Sequence, residues 1–401
     1  MLKELEAKAM LKTEAIPQLD RNAAGSTANI PWYLWCAALA VTSVMIGGRW
    51  DVSWHESIGR DTFWTPAHMA IYLCGVLAGV VCGYLILNTT FRKSSEIAAS
   101  SVRVMGFTGP LGAFLAAWGG VAMLASAPFD NWWHNAYGLD VRIVSPPHTV
   151  LMIGSMAVQA GTLLLILAAM NRAEKQESRF RHLQWLLLYL FGLVLLAVTF
   201  FCTEYTRDVM LHSAIPYIAV SIGIPLCYAA AWKATHHRWA LTWITGIYTA
   251  VTIGFILILP LFPAQPKLGP VYQPVTHFVP PQFPLLFLVP AVLLDILWAR
   301  IGNRNRLLVA LVSGPVFVLG LVAAEWPFAD FLMTKASQNR FFATGYFPYQ
   351  VPSWSPLVTR HFVRVGHGAL PFEGLALAMI SAAICIWLGL WLGEWMRKIQ
   401  R

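Results

Sequence analysis

The chain has 401 residues and a formal net charge of +9, with 57% apolar residues, only 12% charged residues and a mean hydropathy of +0.59. That is far more apolar sequence than one soluble core of this length requires, which excludes a soluble globular protein and points to a membrane protein. The excess of basic residues follows membrane topology, argued below, and is no nucleic-acid footprint.

Residues 1–29 are mixed in charge and carry no apolar core ahead of Ile30, so they read as a cytoplasmic lead-in rather than a cleaved signal. Apolar stretches long enough to cross roughly 30 Å of hydrocarbon as helix follow near 30–48, 66–90, 104–127, 147–170, 185–203, 213–232, 240–260, 283–300, 307–325 and 370–395. The runs are continuous and lack period-two alternation, and lipid requires each spanning segment to satisfy its own backbone, so helices are expected rather than a barrel. The expected fold is an all-α integral membrane protein of about ten transmembrane helices with both termini cytoplasmic. With the N-terminus inside, 19 of the 28 Lys and Arg residues fall in inner segments, as the bias of basic residues toward the cytoplasm demands. The lipid bilayer is thus the one partner that composition itself names.

The first two outer loops carry a repeated pattern. One copy holds Asp51, Trp54, His55, Gly59, Asp61, Thr65, Pro66 and His68; the other holds Asp130, Trp133, His134, Gly138, Asp140, Ser145, Pro146 and His148. In each, Asp and the first His stand four apart and share a face of one helical turn. Glycine then ends the turn. Thr65 and Ser145 suit the N-cap of the next span and Pro66 and Pro146 its first position, which puts the last His in that span's first turn. Two imidazoles and a carboxylate suit copper or another divalent first-row metal, and three protein ligands leave positions open for water, dioxygen or substrate. The expected metal ligands are Asp51, His55 and His68 in one site and Asp130, His134 and His148 in the other. Arg60, Asp61 and Asp140 are expected to orient ligands, relay protons or form loop salt bridges, and Trp54 and Trp133 to wall the sites from water. Hydrogen-bonded loop contacts are the bland alternative, which the duplication argues against.

The stretch Ser53 to His68 resembles the metal-binding segment of the C subunit of copper membrane monooxygenases, the particulate methane and ammonia monooxygenase family. Asp51, His55 and His68 match that family's ligand spacing, and Arg60, Asp61, Thr65 and Pro66 match beside them. The second copy resembles a second site of the same subunit, with Asp130 standing where the family has Asn. A carboxylate there binds metal more strongly and adds negative charge. The resemblance covers about residues 50–170. It implies one or two copper ions, dioxygen activation, oxidation of a small apolar or weakly polar substrate, electrons from a quinol, two further subunits in a trimeric assembly, and a bacterial inner membrane as the setting.

The chain therefore divides into the lead-in 1–29, a four-span metal-site region 30–170, and a region 171–401 with six further spans and a long outer loop, 326–369. No family match extends into that last region. Glu204, Arg207, Asp208, His212, His277, His361 and His367 are outer polar residues considered for a third site, and Asp295, near the inner end of a span, is expected to pair with Arg300. The six cysteines all lie in spans and read as small packing residues. Tryptophans near span ends form an interfacial belt, and the Pro-rich stretch 260–290 is expected to be an ordered surface loop or a re-entrant feature. Two function classes follow. One is a copper-dependent membrane oxidoreductase or its metal-bearing subunit; the other is non-enzymatic metal uptake or delivery, or a structural subunit of a larger complex. The first is favoured because both sites lack a fourth protein ligand; a transporter would also carry ionisable or thioether ligands along its spans, which apart from Asp295 and scattered Met are bare of them.

Overall fold

The computed structural model describes residues 30–59, 61–92, 96–138, 145–202, 206, 211–267, 275–302, 304–342 and 372–400. Ten long helices account for nearly all of it: α1 (Trp32–Ser57), α2 (Pro66–Phe91), α3 (Leu111–Tyr137), α4 (Pro146–Arg172), α5 (Ser178–Phe201), α6 (Ala214–Thr235), α7 (Ala240–Ile258), α8 (Leu288–Ile301), α9 (Arg306–Leu332) and α10 (Phe372–Met396). Eight of them, all but α1 and α8, are long and apolar enough by themselves to cross a membrane. The chain is an all-α integral membrane protein. Its lead-in, 1–29, and most of the expected long loop lie outside the described residues.

Each expected span has its helix, with ends displaced where the local chemistry differs. The stretch expected to open the third span instead forms a short antiparallel hairpin, Val102–Val104 against Phe107–Gly109. Met105 and Gly106, both at positive φ, make its two-residue turn, and α3 begins after Pro110. At the other extreme, α9 runs through Pro315 and Pro327 to Leu332, past the expected start of the long loop.

Helices α1 to α4 form one packed group. The crossing of α3 and α4 is close because it is made of glycines: a Cβ on Gly119 would stand 2.6 Å from the Gly154 carbonyl oxygen, and one on Gly154 would stand 2.8 Å from that of Gly119. Small residues let membrane helices approach this way, where no hydrophobic effect drives them together. In the second group α10 packs along α6 and α9. The two groups join where Asn171 donates to the carbonyls of Met396 and Ile399 at 2.9 and 2.8 Å, bringing the end of α4 to the end of α10.

The segment before α8 shows what the Pro-rich sequence does. Helix α8 has 14 residues, about 21 Å at ~1.5 Å per residue, short of the roughly 30 Å of hydrocarbon. Extended backbone leads into it, and Phe278, Val279 and Phe287 on that backbone are buried. Buried non-helical backbone must find partners for every polar group. Pro280, Pro281 and Pro284 have no N–H to satisfy, and side chains from three helices serve three of the others: Val279 donates to Ser57 Oγ at 2.8 Å, Leu285 to Tyr248 Oη at 3.2 Å and Leu286 to Glu325 Oε1 at 2.6 Å. Residues 275–287 are thus ordered, non-helical backbone packed against α1, α7 and α9, while 268–274 lie outside the described residues.

Asp295 does not pair with Arg300. Its carboxylate, buried on α8, caps the start of α7, accepting the amides of Leu241 at 3.3 Å and Thr242 at 2.8 Å and the Thr242 hydroxyl at 2.7 Å. These are amides that an α-helix leaves unpaired at its N-terminus, where a negative charge is also favoured.

Candidate metal centre

Both copies of the repeat fold alike. Helix α1 carries Asp51 and His55 on its last turns and stops before Gly59, at φ +92°; α3 carries Asp130 and His134 and stops at Gly138, at φ +88°. Positive φ is the region in which glycine is at ease. The next helices start with proline, and His68 and His148 fall in their first turns. Ser145 caps α4 as expected, its hydroxyl accepting the amide of His148 at 3.3 Å. Thr65 differs, because its hydroxyl accepts the amide of Thr62 at 2.8 Å and braces the loop ahead of α2.

The six expected ligands converge in two groups. In the first, Nε2 of His68 lies 3.2 Å from Asp51 Oδ1, and Nε2 of His55 lies 3.7 Å from Asp51 Oδ2. In the second, Nε2 of His134 and Nε2 of His148 lie 3.4 and 3.5 Å from the two oxygens of Asp130. Asp61 enters the first group directly, with Oδ2 at 2.9 Å from His68 Nε2 and 3.4 Å from His55 Nε2. Its side chain is 9% exposed, against 40% for His55, so the cluster opens on the His55 side. Ligand atoms of Asp51, His55 and Asp61 all lie within 4.8 Å of one another, with Nε2 of His68 at 3.2 and 2.9 Å from the two acids. The expected group of three is thus a group of four. Burial alone would raise the Asp61 carboxyl, but hydrogen bonds from His55 and His68 hold it well below the usual carboxylate range.

Tautomers are set from behind. A backbone carbonyl can only accept, so the 3.0 Å contact of His68 Nδ1 with the Thr62 carbonyl places the proton on Nδ1. His134 Nδ1 repeats the arrangement on the Gly138 carbonyl at 3.3 Å. In the neutral form of each ring the lone pair is then on Nε2, the atom that faces the carboxylates; with no cation present, a second proton on Nε2 is what lets the ring donate to them. Oδ1 of Asp51 and Oδ1 of Asp130 are both buried without a hydrogen bond, with Nε2 of His68 and of His148 facing them at 3.2 and 3.5 Å. A lone pair facing a carboxylate is repulsive unless a proton or a cation stands between them.

The two groups face each other across the α2–α3 contact: the charge of Asp130 acts on and is acted on by those of Asp61 and His68. Tyr72, one turn beyond His68 with ring centroids 6.0 Å apart, lies within electrostatic reach of Asp51, Asp61 and Asp130. Its place was not foreseen, although its spacing of four from His68 was in plain view. Trp54 packs on Phe278 at 5.7 Å, fastening the end of α1 to the inserted segment, and Trp133 packs on Tyr137 at 4.5 Å.

Arg60 and Asp140 lie outside the described residues, as do Glu204, Arg207, Asp208, His361 and His367. The remaining residues considered for a third site stand apart. His212 pairs with Asp330 at 3.1 Å and packs on Trp326, while His277 bonds Thr276 at 2.9 Å.

The chain matches no family model, no curated protein and no solved structure.

Proposed function

We propose that the chain is a copper-dependent membrane oxidoreductase of monooxygenase type, or the metal-bearing subunit of one, that oxidises a small apolar substrate with dioxygen. The observation that carries this reading is the repeated convergence of imidazole Nε2 atoms on a carboxylate whose Oδ1 is buried without a hydrogen bond. A cation of +1 or +2 charge satisfies the carboxylate and both lone pairs at once. The donor set, two imidazoles with one or two carboxylates, fits copper and other first-row divalent ions, and the resemblance of residues 50–170 favours copper. Bound copper would supply an exchangeable position for dioxygen and one-electron chemistry. The protein's own part is to hold the ligands: the Thr62 and Gly138 carbonyls fix the tautomers of His68 and His134, and the inserted segment secures α1.

The distribution of Lys and Arg supports sites on the non-cytoplasmic side, and the resemblance supports a bacterial inner membrane. The quinol donor and the two further subunits of a trimeric assembly rest on the resemblance alone. One observation favours the second reading, metal storage or delivery. Asp61 gives the first group four donors, and a four-coordinate site filled by protein holds a metal without leaving room for substrate. The second group, with three donors among the described residues, keeps an open position.

Metal analysis paired with dioxygen uptake tests the proposal. Gently purified protein is expected to hold one to two copper ions; His55→Ala or His68→Ala removes one, and His134→Ala the other. Copper retained with no dioxygen uptake under any donor favours storage. Metal-free wild type that still consumes dioxygen overturns the proposal.

A further inference from the structure

At the end of the bundle opposite the Asp/His groups, the ends of α6, α8, α9 and α10 surround an open pocket of about 430 Å³ lined by Lys233, Gly302, Arg304, Asn305, Arg306 and Glu394. Three lining side chains are cations and one is an acid. Arg306 reaches Glu394 at 3.3 Å, with both side chains well exposed. Lys233 Nζ lies 3.4 Å from the Gly302 carbonyl oxygen and 4.8 Å over the Trp232 ring, which aims it at the pocket rather than at a carboxylate. Arg304 is exposed and takes part in no ion pair among the described residues.

Positive charge is also crowded around the pocket. Lys233 lies within electrostatic reach of Arg306 and Arg397 and of a single acid, Glu394. His236, just beyond α6, is pushed down to about 4 by burial and then by the charges of Arg397, Lys175 and Lys233. The N-terminus of α9 opens at the same place, with Asn305 Oδ1 accepting the Leu307 amide at 2.8 Å, and it adds the positive end of a helix dipole. Like charges gathered around a cavity with one acid between them favour an anion inside it.

The surroundings say which anion. The pocket stands where four spans end, the level at which hydrocarbon gives way to headgroups. Leu307 and Leu311 on α9, and Trp391 and Trp395 on α10, are exposed within two turns or so of it, which suits acyl chains below a bound headgroup. We propose that this pocket binds the phosphate group of an anionic phospholipid, with the Arg304 and Arg306 guanidiniums donating to its oxygens and Lys233 acting as a point charge. Basic pockets between membrane helices recognise such headgroups, and each Lys or Arg near the surface contributes about 1 kcal/mol, roughly a fivefold change in affinity. Arginine also matches phosphate geometry bidentately.

The test uses the full chain in neutral detergent, titrated with phosphatidylglycerol, phosphatidylcholine or inorganic phosphate, and reads retained lipid by native mass spectrometry and stability by thermal melting. Wild type is expected to retain phosphatidylglycerol in preference to phosphatidylcholine and to melt higher with it. Arg304→Gln, at an exposed position that makes no ion pair, is expected to weaken that retention about fivefold, and Arg304→Gln with Arg306→Gln about 25-fold, with phosphatidylcholine unchanged. Equal retention of the two lipids by wild type, or wild-type retention by Arg304→Gln, overturns the proposal. Inorganic phosphate that reproduces the whole shift in melting overturns it as well, by assigning the pocket to a free anion.

Discussion

Val279 donates its amide to Ser57 Oγ at 2.8 Å and accepts at its carbonyl from Ser53 Oγ at 2.6 Å, so one residue of the inserted segment is held by two serines of α1. Those serines lie about half a turn around the helix from Asp51 and His55. One face of α1 carries Asp51 and His55 while the other is fixed to the bundle. Ser57→Ala leaves the Val279 amide buried without its acceptor, which costs about 1–3 kcal/mol. A lower melting temperature and weaker metal binding at the first site only are the expected results. Melting indistinguishable from wild type would show that α1 is held by other contacts.

Asp61 offers a second handle on the same site. Asp61→Asn keeps the side-chain shape and a hydrogen-bonding oxygen but removes the charge that faces both imidazoles at 2.9 and 3.4 Å. Its expected effect is a loss of metal affinity at the first site of about ten- to a hundredfold, the range found when groups supporting ligand imidazoles are changed. Chelator competition measures this, with the Asp130 site as internal reference. Equal affinities in variant and wild type would place Asp61 outside the metal's influence.

The spans and the convergence of the repeated Asp and His side chains were legible because each signal is local. A run of apolar residues is a helix in lipid whatever surrounds it, and the Asp/His spacing with its glycine stop and proline start is readable within one stretch of chain. Contacts over long separations were not legible. Nothing near Ser57 names Val279 as its partner, and nothing near Asp295 names the start of α7. Asp61 was noticed as a supporting residue, but the loop that turns it inward is set by the Thr62–Thr65 bond, which spacing alone does not reveal. The Pro-rich segment left two outcomes open, since prolines serve equally in an exposed loop and in buried backbone with few amides. Its partners Tyr248 and Glu325 lie far along the chain and are not named by anything near the prolines.

Asp295 predicts a graded pair of substitutions. Its buried carboxylate serves two amides and a hydroxyl at the start of α7. Asp295→Asn keeps an acceptor oxygen but gives up the charge, and about 1 kcal/mol is the expected cost. Asp295→Leu leaves the amides of Leu241 and Thr242 without partners at a buried position, at about 2–4 kcal/mol. Thermal melting should rank wild type, Asn and Leu in that order. A Leu variant as stable as the Asn variant would show that water reaches this end of α7 and takes over the capping.

His236 carries the pH dependence at the opposite end. Its pKa in the folded chain is pushed down to about 4, first by burial and then by Arg397, Lys175 and Lys233, against about 6.5 in an unfolded chain. Above about 6.5 the ring is neutral in both states and its contribution to stability is whole. Between about 6.5 and 4 the unfolded chain takes up a proton that the folded chain refuses, so stability falls as pH is lowered through that window. The residue is only partly buried and has a solvent-exposed side, and solvent screening limits the effect to about 1 kcal/mol or less. His236→Asn suits the backbone, since φ is +56° here and Asn tolerates the left-handed region. Melting curves at pH 7 and pH 5 should therefore draw closer together in the variant. Burial lowers His237 as well, so a smaller slope remains, and an unchanged slope would assign the whole dependence to other groups.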